Sequence, residues 1–326
     1  MPSILAATGS SEQEAEVTRG VRRVLYRALA VLWLIDAFLQ MQPGMFTMDM
    51  VSTIMQPTLS GQPPWLAAAD HWAIQLVTPA VGWWNWGFAG IQFAIAFLLW
   101  SPKVRWVRLG LWVSIGWGVL VWLFGEGLGG VLTGSATLLA GGPGSVLLYV
   151  WIAILLLLPD RRWHLSGRWS LVRDGAALVW GWATLQQLVP GYWNGIGLSS
   201  VFQSNASMQP HWLVPLIAPV VAIAAKQPVV VNFMLVATMA LTTGFAFGPR
   251  PRRWALGLGG ALLAFAWVFG QGFGMIFTGM GTDPNTAPLL AVLMYPAWAW
   301  AAQLRRPRQA AHPHKVIPHP RSSAQL

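Results

Sequence analysis

Two stretches of this chain carry residues that could hold a ligand. Residues 122–134 read WLFGEGLGGVLTG and residues 267–279 read WVFGQGFGMIFTG. In each, an apolar run ends in glycines, and one polar side chain stands between them. That side chain is a carboxylate, Glu126, in the first copy and a carboxamide, Gln271, in the second, 145 positions later. Glu126 can bind a proton or a cation, or act as the negative pole for a polar ligand. Gln271 offers hydrogen bonds without charge. The structural alternative is a glycine helix cap with a solvated carboxylate. A carboxylate at the carbonyl end of a helix opposes the helix dipole, which favours the functional reading. A ligand between these loops would be small, and either cationic or a hydrogen-bond donor.

Other candidates lie nearby in the pattern. Asp36 falls inside an apolar run, where a carboxylate costs several kcal/mol unless it is paired, protonated or hydrated. Lys226 is the expected structural partner. His71-Trp72 and His211-Trp212 form a pair, as do Asn85 and Asn232. The imidazoles could act as metal ligands or proton carriers, at the rim of a pocket. Met41, Met45, Met48, Met50 and Met55 cluster after the first apolar run. Thioethers select Cu(I), so Met48 and Met50 with His71 make a conceivable copper site. Methionines also fill irregular apolar gaps, and the second stretch has no matching cluster, so packing is the favoured reading. The glycine loops lack the Lys-Ser/Thr of a phosphate loop. With no cysteine in the chain, thiolate chemistry and disulfides are excluded.

The elements that must position these residues are membrane helices. Of 326 residues, 55% are hydrophobic and 9% charged, against about 25% charged in soluble domains. Twenty-two Trp and 34 Gly agree, since Trp gathers at membrane interfaces and Gly is common in membrane helices. The net charge of +10 belongs to loops between apolar runs and points to topology, not to nucleic acid. Apolar runs predict spans near 24–41, 83–100, 106–124, 143–158, 175–188, 229–247, 254–269 and 287–304. The stretch 131–142 is too short to cross and reads as re-entrant.

The pattern is duplicated. Matched markers keep their order at offsets between 140 and 147, including Pro79 with Pro219 and Tyr149 with Tyr295. The expected organisation is a cytoplasmic disordered tail (1–20), a four-span repeat (21–159), a basic linker (160–174), a second four-span repeat (175–304) and a disordered tail (305–326) with His312, His314 and His319. The predicted fold is an all-α membrane protein of eight transmembrane helices, built as two parallel four-helix repeats with both termini cytoplasmic. With that orientation, every Lys and Arg except Lys226 falls inside, which satisfies the positive-inside rule. The outer segments 44–82 and 191–228 and both glycine loops then face outward. The expected location is the cell membrane, of the bacterial inner-membrane kind.

The first repeat also carries a second span reading Ala89-Gly90-Ile91-Gln92-Phe93-Ala94-Ile95-Ala96 before a basic turn. This layout of four spans with an outer segment after the first resembles the DoxX/DoxD group of membrane proteins, with Gln92 where that group often carries Glu. The resemblance implies a membrane subunit of a redox or respiratory assembly, with quinone as cofactor and other redox subunits as partners. Two other classes remain open. One is a transport or binding protein for a small cation or polar solute. The other is a structural subunit whose Trp-rich surface packs partners or lipid.

Overall fold

The computed structural model describes residues 2–305, with side chains placed from residue 12 onward. The histidine-containing end of the expected C-terminal tail lies outside the described residues. Among the described residues all regular structure is helical. The helices are α1 (Pro2–Gln40), α2 (Pro64–Val77), α3 (Val81–Leu99), α4 (Val104–Phe124), α5 (Ser145–Leu157), α6 (Leu171–Gln187), α7 (Gly195–Met208), α8 (Val214–Lys226), α9 (Pro228–Ala246), α10 (Arg253–Phe265) and α11 (Thr286–Gln303). Three are long and apolar enough to cross a membrane: α4, α9, and α10 with the turn that extends it to Gly270.

Two bundles form with the same order of neighbours. α1 packs on α3, α3 on α4, α4 on α5, and α5 back on α1. α6 packs on α9, α9 on α10, α10 on α11, and α11 back on α6. α11 also packs on α1 and α5, so one continuous apolar core runs through both bundles. A smaller second core holds Met45, Met50 and Met55 with Val51, Ile74, Val77 and Val81. Most of the methionine cluster is thus apolar filling for the outer segment.

The N-terminal region departs from the expected disordered tail, because α1 is helical from Pro2. Glu14 explains part of this. Its carboxylate accepts the backbone N–H groups of Leu165 and Ser166 at 2.6 and 2.9 Å and the Ser166 hydroxyl at 2.6 Å. Those bonds hold the basic linker against α1 and keep the Glu14 pKa below its ordinary value despite the partial burial that opposes this. The linker is folded too: the fully buried Arg173 donates to the Leu165 and Gly167 carbonyls at 2.6 and 2.8 Å.

The two glycine loops have the same backbone. Gly127, Leu128 and Gly129 take φ of +52°, +54° and +60°, while Gly272, Phe273 and Gly274 take +53°, +56° and +69°. Left-handed backbone costs a non-glycine residue roughly 1–2 kcal/mol, so Leu128 and Phe273 are held there by their surroundings. Gly129 is irreplaceable on space alone, since a Cβ would lie 1.8 Å from the Pro143 carbonyl oxygen. At Gly274 a Cβ would lie 2.5 Å from the Asp283 carbonyl oxygen.

Candidate functional site

The loops close onto the helices that follow them. Trp122 donates its indole N–H to the Pro143 carbonyl at 2.8 Å, and Trp267 donates to the Pro284 carbonyl at 2.8 Å. Glu126 accepts the Ser145 hydroxyl at 2.6 Å and the Val146 N–H at 3.3 Å. Gln271 accepts the Ala287 N–H at 3.0 Å. Each polar side chain therefore satisfies a donor at the start of the next helix, α5 or α11, where amides lack intrahelical partners. This corrects the dipole argument made from sequence. Glu126 follows the carbonyl end of α4, but its carboxylate reaches the amide end of α5, where negative charge is favoured.

The same contacts correct the tyrosine alignment. Pro143 and Pro284 play one role, so Val146 matches Ala287 and Tyr149 matches Leu290. Tyr149 is fully buried and donates to Asp36 at 2.9 Å. Tyr295 is half-buried and stacks on Trp298. Asp36, 2% exposed, is thus partnered by Tyr149. Lys226 ends α8 on an exposed position.

Asp36 and Glu126 line one cavity of about 290 Å³ in the first bundle. Its walls are aromatic and thioether: Trp33, Trp72, Phe88, Trp117 and Phe124, with Met50. A third carboxylate, Asp283, enters from the second half with Thr282. Its oxygens accept the Thr282 hydroxyl at 3.0 Å and the Asn285 N–H at 2.6 Å. Asp283 was missed in the sequence, although it is the only acidic residue between 175 and 304, which is a usable signal. Removal from water, then the Asp283 charge, push the Glu126 carboxyl above its ordinary range. Among the described residues no Lys, Arg or His lines the cavity. Two wall atoms are unspent: Gln92 Oε1 and Trp117 Nε1 are buried without a hydrogen-bond partner.

The remaining candidates sit elsewhere. Gln271 is 3% exposed and donates to the Leu138 carbonyl at 2.8 Å, so both ends of its amide are engaged within the fold. Asn85 is fully buried in a reciprocal pair with Gln40: Gln40 Nε2 donates to Asn85 Oδ1 at 2.5 Å and Asn85 Nδ2 to the Gln40 carbonyl at 2.9 Å. Asn232 repeats this with Gln187 at 2.6 and 3.1 Å. Both asparagines clamp the first helix of a bundle to its neighbour. His71 is exposed and its ring nitrogen meets Gln75 at 3.0 Å, while His211 is also exposed. Their neighbours Trp72 and Trp212 are exposed too, but each packs on an aromatic ring of the following glycine stretch, Trp72 against Phe124 and Trp212 against Phe277. The copper candidates are not assembled: Met48 is 50% exposed, Met50 is buried in the outer core, and His71 lies outside the cavity lining. Among the described residues no group of three or more His, Asp or Glu side chains is placed to hold a metal ion.

Compared with known protein families, curated proteins and solved structures, the chain matches none.

Proposed function

We propose that this is a multi-pass membrane protein whose first half binds a small, flat, apolar ligand through a hydrogen-bond donor or a positive charge. The observation that carries this reading is the chemistry of the cavity: three carboxylates and a free carboxamide oxygen, under aromatic walls, with no cation in the lining. Several carboxylates sharing a low-dielectric site cannot all ionise cheaply. They are relieved by protons, by donated hydrogen bonds or by a cation, and indole and phenyl faces attract cations as well. A cavity of this size takes a single small ring system.

The membrane setting rests on the apolar helices and on exposed indoles such as Trp83 and Trp169, 81% and 76% accessible. The matched bundles, loop dihedrals and Gln–Asn clamps support two four-helix repeats of eight spans in all, and the placement of Lys and Arg supports cytoplasmic termini. Within this reading, the resemblance to the DoxX/DoxD group selects a hydroquinone in a redox subunit, since two hydroxyl donors on a flat ring suit carboxylate acceptors. A transported or bound organic cation fits the same cavity, and its aromatic lining with three carboxylates favours it.

The test is ligand retention. Small molecules extracted from purified protein are identified by mass spectrometry, and the same extraction is made on Glu126→Gln. The substitution keeps the acceptor for Val146 and makes the loops alike, so folded yield stays near wild type. Ligand content is expected to fall by about tenfold, the equivalent of one charge-assisted hydrogen bond. Unchanged content would show that Glu126 serves only to cap α5.

A further inference from the structure

At the other end of α1, away from the acidic cavity, a groove of about 1010 Å³ opens between α1, the start of α4 and the end of α5. Arg19, Arg22, Arg23 and Arg27 line it from α1, and Arg108 lines it from α4. The spacing explains why they converge. Positions 19, 23 and 27 recur every four residues, so they share one helix face, and 22, 26 and 30 extend it. Against five guanidinium groups stands one carboxylate, Asp160, already paired with Arg22. Arg22 also donates to the Leu156 and Leu158 carbonyls at 3.2 and 3.4 Å. Arg19, Arg23, Arg27 and Arg108 are exposed and make no ion pair among the described residues. Like charges four apart on a helix repel, so this row is unfavourable until an anion joins it.

The groove is apolar away from the arginines, where Ala30, Leu99, Val104, Val107 and Leu111 form its wall. Trp100, 60% exposed, stands beside them. A free inorganic anion would leave that wall and most of the volume empty. We propose that the groove is a binding site for an anionic phospholipid, with the headgroup phosphate on the α1 arginines and Arg108 and an acyl chain along the apolar wall. Each arginine near an anionic headgroup contributes roughly fivefold in affinity. This inference rests on the membrane reading but not on the acidic cavity, and its residues are distinct from those tested by Glu126→Gln.

The experiment uses the full-length protein in detergent micelles, with bound lipid counted by native mass spectrometry as phosphatidylglycerol or phosphatidylcholine is added. Phosphatidylglycerol is expected to bind at least tenfold more tightly. Arg23→Ala with Arg27→Ala is expected to weaken it by about thirtyfold, the effect of two such charges, and to leave phosphatidylcholine unchanged. Arg105→Ala is the control: Arg105 stacks on Trp106, lies on the same helix end and does not line the groove. Equal binding of the two lipids, or equal losses in the double variant and the control, would overturn the proposal. Displacement of phosphatidylglycerol by millimolar inorganic phosphate would overturn it too, in favour of a soluble-anion site.

Discussion

The two bundles share their order of helix neighbours, their loop dihedrals and their Gln–Asn clamps, and differ in the side chains at matched positions. In the first, Asp36, Tyr149, Gln92, Trp117 and Glu126 bring polar atoms to or around an open cavity. The matched positions in the second are Ala183, Leu290, Met239, Leu262 and Gln271, each at most 7% exposed. Phe202 of α7 is fully buried there and packs on Phe265. Even the buried indoles differ. Trp33 donates to Ser114 at 2.9 Å, whereas Gly259 stands at the serine's matched position and the Trp180 N–H has no partner. Shared geometry is therefore not what makes a site. The loops and clamps hold both bundles together, and in the first bundle unspent polar groups, Gln92 Oε1 and Trp117 Nε1, line a cavity of about 290 Å³.

The largest effect should come from testing what the halves share. Gly129→Ala and Gly274→Ala each drive a Cβ into a carbonyl and force a side chain into left-handed backbone. We expect each to cost more than about 3 kcal/mol and to abolish the monodisperse peak in detergent chromatography. Survival of one and loss of the other would break the equivalence of the loops. Next, Ala183→Asp places a carboxylate in the second bundle without a tyrosine to meet it. A buried unpaired charge predicts a loss of roughly 3–5 kcal/mol at neutral pH, read as a fall in Tm. A stable Ala183→Asp variant would mean that the second bundle can supply a partner or water to a carboxylate at this buried position.

A smaller effect is expected when the first half is given the second half's residue. Gln92→Met removes an unpartnered buried carboxamide oxygen and narrows the cavity. The loss of that unpaired acceptor should stabilise the protein by about 1 kcal/mol while lowering ligand content. Reduced stability would show that Gln92 is satisfied by an occupant.

An effect of similar size concerns Asp70, which is fully buried on α2 with both carboxylate oxygens unpartnered. Burial raises its pKa from 3.8 to about 6. Because the folded value lies above the unfolded one, the protonated form favours folding. Stability should decline as pH rises from about 4 to about 6 and then level off. Asp70→Asn should flatten that slope and raise Tm at pH 7 by about 2–4 °C. A slope that persists in the variant would assign it to other groups, Glu126 and Asp283 first.

Much of this architecture was legible in the chain. The glycine stretches announce their shared backbone because φ near +60° with a carbonyl close by admits almost nothing else. The apolar runs announce helices because a long uncharged segment in a membrane must satisfy its own backbone hydrogen bonds. Asp36 and Glu126 could be singled out because carboxylates are costly where they stand. The roles of Asn85 and Asn232 were not legible, since a polar residue in an apolar run looks the same whether it meets a ligand or a glutamine from the neighbouring helix. The tyrosine match failed because the loop after the second glycine stretch is shorter, and constant offsets hide such a deletion until a contact, here Trp267 with Pro284, restores the register.

By itself, the sequence determined the helical class, the apolar helices and the twofold pattern of loops, because composition and the matched glycine stretches act locally along the chain. Tertiary structure alone decided that Asp283 crosses from the second half into the first, that Tyr149 rather than Lys226 meets Asp36, and that the polar groups of the first bundle line a cavity while their matched apolar positions in the second are buried. Those outcomes depend on which side chains become neighbours across more than 100 residues of chain, and no local pattern records that.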